Sequence, residues 1–482
     1  MGSIRGLLSA VGTLLIVAGL IMLAPGLLAL YDVMQGIYEE RNLVAPFLCT
    51  GIISIALGIL LSVVGKGAEL RLFDAAIAAS LAWIIIPVVG AIPLMWGAGL
   101  KPVDALFEGL SGFTGTGLTM ISKPENMPQS ILLWRGVMQW TGELGIVVVS
   151  AAIFPFFHTL LRGLYTVERG MKITPTIIGT SRRMGAIYIV YTLIGIMLFI
   201  WGGMSLFDAV IHSMTGIATG GMSTKSLSIG YWRSPTLEFF VIIIMVLGAL
   251  NFADHYKLFK GKIRSFFSSV EVKGYIVLQI LFIGLTILAY LLSGGTLFES
   301  LRQGSFHAIS AMSTTGFQVG NLSRTSDAVK IILVLSMIVG GCTFSTAGGL
   351  KIKRVVVALK VLIWEIKRML LPPTVLISKS IERRRVTAEE IISALSFIVM
   401  YSLVLSILSF IVTLHGYRFI DSLFEVTSAM SCVGLSIGLT GVTAPATVKI
   451  TLMLAMYLGR LEFLPLFITL GSMLTKRYGV KR

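Results

Sequence analysis

Four stretches of this chain gather small and hydroxyl residues around one glycine. They read SGFTGTGLTM (111–120), TGIATGGMST (215–224), SAMSTTGFQV (310–319) and SAMSCVGLSI (428–437). Aligned on the last glycine of each core, they put Gly117, Gly221, Gly316 and Gly434 in one column, 104, 95 and 118 residues apart. Glycine reaches backbone angles that other residues resist, so such loops can turn their carbonyl oxygens to one side. Carbonyls collected from several loops can replace the hydration shell of a cation. The candidate ligating segments are Thr114-Gly115-Thr116-Gly117, Ala218-Thr219-Gly220-Gly221, Ser313-Thr314-Thr315-Gly316 and Ser431-Cys432-Val433-Gly434.

Further columns support the alignment. A large apolar residue follows each glycine: Leu118, Met222, Phe317 and Leu435. Nine residues before it stand Glu108, His212, His307 and Glu425, and ten before stand Phe107, Ile211, Phe306 and Phe424. Thirteen before stand Asp104, Asp208, Gln303 and Asp421. The two histidines and two glutamates are metal-ligand types, yet polar groups on a short helix more often tie it to its neighbours. The chain therefore reads as four tandem units.

The elements that must position these loops lie in a membrane. The chain is 55% hydrophobic and 13% charged, with mean hydropathy +0.90, against roughly 25% charged in soluble domains. No charge interrupts Gly6–Tyr31 or Asn42–Gly65, and each run exceeds the roughly 20 residues a spanning helix needs. Spans are expected near 7–30, 43–64, 72–95, 130–157, 185–204, 236–253, 274–293, 326–350, 389–414 and 446–475. The fold class is an all-α polytopic membrane protein. Four span–pore helix–filter loop–span repeats surround a pseudo-fourfold pore, after two extra transmembrane helices. The repeats divide as 72–157, 158–253, 254–360 and 361–482, behind an N-terminal extension of 1–71.

Each pore helix, from its aspartate (an expected N-cap) to about four residues before the glycine, is too short to cross. It must dip in and turn back, presenting its negative C-terminal end to the path. Irregular backbone at that depth is tolerated where it is buried or lines a water-filled path. Four carbonyl loops on one axis make a potassium-type selectivity filter, with potassium at Gly117, Gly221, Gly316 and Gly434. Close packing of helices through small residues is the plainer alternative.

Net charge is +16, and 27 of the 39 Lys and Arg fall on the side that holds Arg5. The positive-inside rule puts both termini in the cytoplasm, so the basic balance reports topology and not nucleic acid. Three scattered cysteines, Cys49, Cys342 and Cys432, make no framework or cluster.

Together with LNFADHYK (250–257), GGCTFSTAGGLKIKR (340–354) and GRLEFLPL (459–466), the four loops resemble those of the Trk/Ktr/HKT superfamily of potassium transporters. The two leading spans make the chain similar to the Trk-type membrane subunit, and the resemblance covers essentially its whole length. It implies a homodimer with one pore per chain, in the cell membrane. It also implies a cytoplasmic ring of TrkA-like regulatory subunits, which carry the nucleotide and control opening. Two departures stand out: SCVG in the fourth loop, and Gly142-Glu143 where such proteins often read Gly-Gly.

Gly340, Gly341, Cys342, Thr343, Phe344, Ser345, Thr346, Ala347, Gly348 and Gly349 lie inside the span beginning near 326. Four glycines in ten residues should break that helix below the third loop and provide a gate. Arg460, eleven residues after Lys449, sits near mid-membrane, where such a charge costs at least about 2.5 kcal/mol and marks function. Beside the gate it would repel ions, and Glu143 is a candidate partner. A sodium- or proton-coupled secondary transporter is the competing class, but inverted repeats come in pairs and here there are four in parallel. An enzyme is not expected, since no nucleophile–base pair or metal set is present.

Overall fold

The computed structural model describes residues 2–65, 72–144, 177–372, 374–375, 377–382 and 384–463. Among them the chain is mostly helical. Its one sheet is an antiparallel ribbon of β1 (Ser380–Ile381) and β2 (Arg384–Arg385), with Ser380 opposite Arg385.

Two long helices come first, α1 (Gly2–Met34) and α2 (Arg41–Val64). They meet through small residues: a Cβ on Gly12 would lie 2.6 Å from the Gly58 carbonyl oxygen, and one on Gly58 2.6 Å from that of Gly12. This is the close backbone approach that glycine permits between membrane helices.

A long helix, a short helix and a second helix then follow one another four times. The first set is α3 (Leu72–Trp96), α4 (Pro102–Thr114) and α5 (Gln129–Leu144). The second is α6 (Ile177–Trp201), α7 (Leu206–Ile217) and α8 (Pro235–Ala249). Helix α8 bends by 107° into α9 (Phe252–Phe259), which α10 (Ile263–Ser268) follows. The third set is α11 (Val270–Leu292), α12 (Leu297–Met312) and α13 (Asp327–Val339), continued after a break by α14 (Ile352–Leu370). The last is α15 (Ala388–Thr413), α16 (Phe419–Met430) and α17 (Ala446–Arg460). Six helices among the described residues are long and apolar enough to cross a membrane, or seven with the bent pair as one span.

Three expected boundaries shift. The span from 326 holds helix only to Val339, and the one from 236 only to Ala249 before its bend. The final span, expected over 446–475, has its helix end at Arg460, where Glu462 and Phe463 take left-handed angles; 464–482 lie outside the described residues, as do 145–176. The aspartates are not N-caps either. Lys101, Ser205, Thr296 and Arg418 hold that position, and Asp104, Asp208 and Asp421 sit in the first turn. There their charge still meets the positive helix end. Helix α12 starts earlier, so Gln303 falls in its middle.

The four short helices run 13, 12, 16 and 12 residues. At 1.5 Å per residue the longest reaches about 24 Å, short of a bilayer core of about 30 Å. Phe107, Phe306 and Phe424 on them are fully buried, with Ile211 at the same position. Salt bridges join one set to the next. Lys449 of α17 meets Asp104 of α4 at 2.6 Å, and Lys330 of α13 meets Asp421 of α16 at 2.7 Å. Between α8 and α12 the polarity is reversed, with Glu238 accepting from Arg302 at 2.5 Å. Arg135 of α5 donates to the Ser223 carbonyl beyond α7 at 2.9 Å. Each unit is thus clasped to its successor, and the fourth to the first.

Candidate functional site

Each short helix ends in a loop of the same design. The N–H of the residue before the column glycine donates to the carbonyl five residues back, on the helix's last turn. Thr116 reaches Ser111 at 2.9 Å, Gly220 reaches Thr215 at 2.8 Å, Thr315 reaches Ser310 at 2.9 Å and Val433 reaches Ser428 at 2.8 Å. These bonds satisfy carbonyls that a helix end leaves free. The column glycines are all left-handed, with φ of 84°, 71°, 82° and 92° for Gly117, Gly221, Gly316 and Gly434. So are the residues two before them: Gly115, Thr219, Thr314 and Cys432. Left-handed angles at every second residue turn successive carbonyls to one face of the strand. Three of these residues are not glycine, and strain of this kind persists only where the surroundings enforce it.

The glycines close a cycle. A Cβ on Gly117 would collide with the Gly220 carbonyl oxygen, one on Gly221 with that of Thr315, and one on Gly316 with that of Val433. A Cβ on Gly434 would collide with the carbonyl oxygen of Thr116. Each column glycine therefore faces the carbonyl just before the next loop's glycine, and the fourth returns to the first. All sixteen residues of the four candidate segments come together here, all but Gly117, Gly221 and Gly434 buried.

Glu108, His212, His307 and Glu425 do not meet. Each folds back on the strand leaving its own loop. Glu425 accepts from Ser436 Oγ at 2.6 Å, Ile437 N at 2.9 Å, Leu439 N at 3.3 Å and Thr440 Oγ1 at 2.7 Å. Glu108 does the same for Thr119 Oγ1, Met120 N and Ile121 N. His307 Nε2 accepts from Val319 N at 3.2 Å, and His212 Nε2 pairs with Ser223 Oγ at 2.9 Å. No cluster of three or more metal-ligand residues occurs among the described residues.

The segment 340–351 interrupts the helix that α13 begins, and Gly340, Phe344, Gly349 and Lys351 are left-handed. It is wedged under the loops. Thr346 Oγ1 donates to Ile217 O at the end of α7 (3.1 Å) and to Gly248 O (2.9 Å). Gly348 N donates to Thr314 Oγ1 at 2.8 Å, and a Cβ on Gly348 would strike the Ser431 carbonyl. Cys342 N donates to Ala249 O at 2.9 Å, and Phe344 O accepts from Phe252 N at 3.1 Å. Gly341 packs on Ala347, and the Lys351 ammonium on the Ala347 carbonyl. Ser345 Oγ donates to the Cys342 carbonyl at 2.6 Å, while Thr343 lines a separate cavity beside α14.

Arg460 comes to the same place. Its Nη1 meets Glu143 Oε2 at 2.5 Å, its Nη2 donates to Gly142 O at 2.6 Å, and its guanidinium lies 4.9 Å from the Trp83 ring centre. Glu143 in turn packs against Gly115 of the first loop. A cavity of about 60 Å³ lies between Cys432, Gly348, Lys351 and Arg460, room for only a few water molecules.

Two features escaped sequence reasoning. A hydroxyl residue stands six before every column glycine: Ser111, Thr215, Ser310 and Ser428. The serines bond their own loops, Ser111 Oγ to Leu118 O, Ser310 Oγ to Phe317 O and Ser428 Oγ from Gly434 N. That column opened all four quoted stretches and was there to be read. The clasps by Lys330, Lys449 and Arg302 had no local signal, because their partners are 64 to 345 residues away.

Comparison with known proteins gives one consistent answer. A family model described as "Cation transport protein" matches residues 45–477. An uncharacterized cation transporter of Methanocaldococcus jannaschii is 33% identical over 93% of this chain and 92% of its own. The Trk system potassium uptake protein TrkH of Halomonas elongata is 31% identical over 82% of this chain and 84% of its own. The crystal structure of the potassium transporter TrkH from Vibrio parahaemolyticus superposes with a TM-score of 0.84 at 27% identity, covering 97% of this chain and 98% of that one. With its apolar helices and this match over most of its length, the chain is a multi-pass membrane protein that belongs to the TrkH family of cation transport proteins.

Proposed function

We propose that this protein passes potassium ions across the cell membrane through the four-loop ring, which acts as a carbonyl selectivity filter. The observation that carries the reading is the closed order of contacts, Gly117 to loop two, Gly221 to three, Gly316 to four and Gly434 to one. Such a ring presents four equivalent sets of carbonyls on one pseudo-fourfold axis, the arrangement that substitutes for a cation's water shell. The similarity to the Halomonas potassium uptake protein and the Vibrio potassium transporter supports potassium as the ion.

Segment 340–349 with Arg460 is the gate of this reading. The fixed cation and the wedged backbone stand below the ring, next to a cavity too small for a hydrated ion. An arginine beside a pore is an electrostatic barrier to cations. Both termini are cytoplasmic, the chain works as a homodimer, and a TrkA-like ring that holds the nucleotide moves α14 and so the segment before it. Lys351, Lys353 and Arg354 open that helix and mark where the chain leaves the membrane.

Purified protein in liposomes should take up potassium down an imposed gradient, sodium much less, with no requirement for a proton or sodium gradient. Uptake that stops when those gradients are collapsed would instead make it a coupled secondary transporter. Equal potassium and sodium flux would remove the filter.

A further inference from the structure

The four loops share one backbone but differ in how the residues one and three before the column glycine are held. In the first loop Thr116 Oγ1 bonds Thr114 Oγ1 at 2.9 Å, and in the third Thr315 Oγ1 bonds Ser313 Oγ at 2.8 Å. In the fourth, Ser431 Oγ bonds Tyr401 OH at 2.7 Å. The second loop can do none of this, since it reads Ala218 and Gly220 at those two positions. Its bracing comes from another unit. Gln139 Nε2, on α5, donates to Gly220 O at 2.6 Å, and Gln139 Oε1 accepts from Met222 N at 3.0 Å. The amide spans Gly221 and ties down the peptide groups on both sides of it.

We infer that Gln139 is a specificity-determining positioning residue, which holds the Gly220 carbonyl in place and substitutes for the hydroxyl brace that the second loop lacks. This rests on the filter reading above. Three observations meet in it. Gln139 is fully buried, so its two polar atoms depend on these backbone partners. A Cβ on Gly220 would collide with its amide, which explains the Gly-Gly of this loop alone: the side chain normally at that position has been replaced by one from α5. Finally, Gln139 lies ten residues into its helix, where α8, α13 and α17 carry Met245, Met337 and Met456, all fully buried. A packing role alone would be filled by methionine here as well.

The held carbonyl matters because it is the one that Gly117 faces across the first junction of the ring. Left untied, the Gly220 peptide could rotate, and one of the four equivalent carbonyls would be lost to the ion.

The test uses the full-length protein in planar bilayers or liposomes, reading potassium-over-sodium permeability. Gln139→Met gives this helix the residue of the other three and keeps the packing. It should lower the permeability ratio about tenfold in protein that still folds, with a thermal midpoint reduced by the one orphaned Met222 N–H. Gln139→Glu keeps an acceptor for Met222 N but sets a carboxylate oxygen against the Gly220 carbonyl, and should lower the ratio at least as far. Adding Ala218→Ser and Gly220→Thr to Gln139→Met rebuilds the brace of the third loop and should restore part of the ratio. Gly316→Ser, in a different loop, serves as the control for the filter itself. A parental ratio in both Gln139 variants, with the ratio lost in Gly316→Ser, would overturn the role of Gln139 and leave the filter standing. Parental ratios in all of them would overturn the filter reading too.

Discussion

Two glycine-rich backbones lie against each other at the centre of this molecule, and they are held in different ways. In the ring, each loop is fastened at both ends to its own short helix. The helix's last carbonyls take the loop's N–H groups, and a buried Glu or His nine residues back holds the departing strand. The segment 340–351 is tied at its two ends to α13, where the Ser336 and Ile338 carbonyls take the Gly340 and Leu350 N–H groups. Its middle hangs on α7, α8, α9 and the third loop, partners that belong to other elements. Glycine serves close approach in both. The difference shows that glycine content says nothing of rigidity; the number and origin of the anchoring bonds does. A fastened ring suits ligation of an ion at fixed geometry, and a segment held by its neighbours suits movement when one of them moves.

Removing an anchor from the ring should have the largest effect. Glu425→Ala deletes an acceptor of four bonds and leaves the buried N–H groups of Ile437 and Leu439 unpaired. At about 1–3 kcal/mol for each orphaned group, the loss is several kcal/mol. A thermal melt in detergent should fall by many degrees, and an unchanged melt would show that the ring is not held from this position.

On the other side of the comparison, shortening 342–348 removes bonds to α7, α8 and the third loop and leaves the ring's own helix-end bonds in place. Basal potassium flux in liposomes should rise about tenfold, with selectivity retained and dependence on the regulatory ring weakened. Arg460→Ala should raise flux in the same direction but by only a few-fold. Its removal takes away the repelling charge and breaks the ion pair with Glu143, which packs against Gly115. Adding Glu143→Gln should reverse part of that rise. Lower or unchanged flux in folded samples of both would make the segment and the arginine packing elements. The smallest effect belongs to a single brace within the ring. Thr315→Val removes the bond to Ser313 and keeps the shape, and should shift the permeability ratio about twofold.

Much of this arrangement was legible in the sequence because the repeat forced it into register. Gly117, Gly221, Gly316 and Gly434 are fixed by a backbone requirement, which selects one residue type and repeats four times. The break at 340–349 was legible for the same reason, since four glycines cannot sustain a membrane helix. Partnerships across units were not. Gln139 looks like any polar residue on a helix until the backbone of 220–222 is seen beside it, and the Arg460–Glu143 pair spans 317 residues. The helix starts were misplaced because an aspartate stabilises the first turn as readily as the cap, so its column recorded the helix dipole and not the boundary. Gly459 stands at the end of α17 and Pro465 five residues beyond Arg460, but Gly459 serves close packing on the Met430 carbonyl, and it is two non-glycine residues, Glu462 and Phe463, that turn left-handed there.

The most direct test of the central claim is the reversal potential with potassium on one side of a bilayer and sodium on the other, for the parent protein and for Gly117→Ser, Gly221→Ser, Gly316→Ser and Gly434→Ser. At each position the new side chain would meet the next loop's carbonyl and resist a φ of 71° to 92°. The account predicts a parental potential that reports strong potassium preference, and a shift toward zero in every variant, by at least about 59 mV for a tenfold loss. Four variants that fold, conduct and keep the parental potential would contradict it.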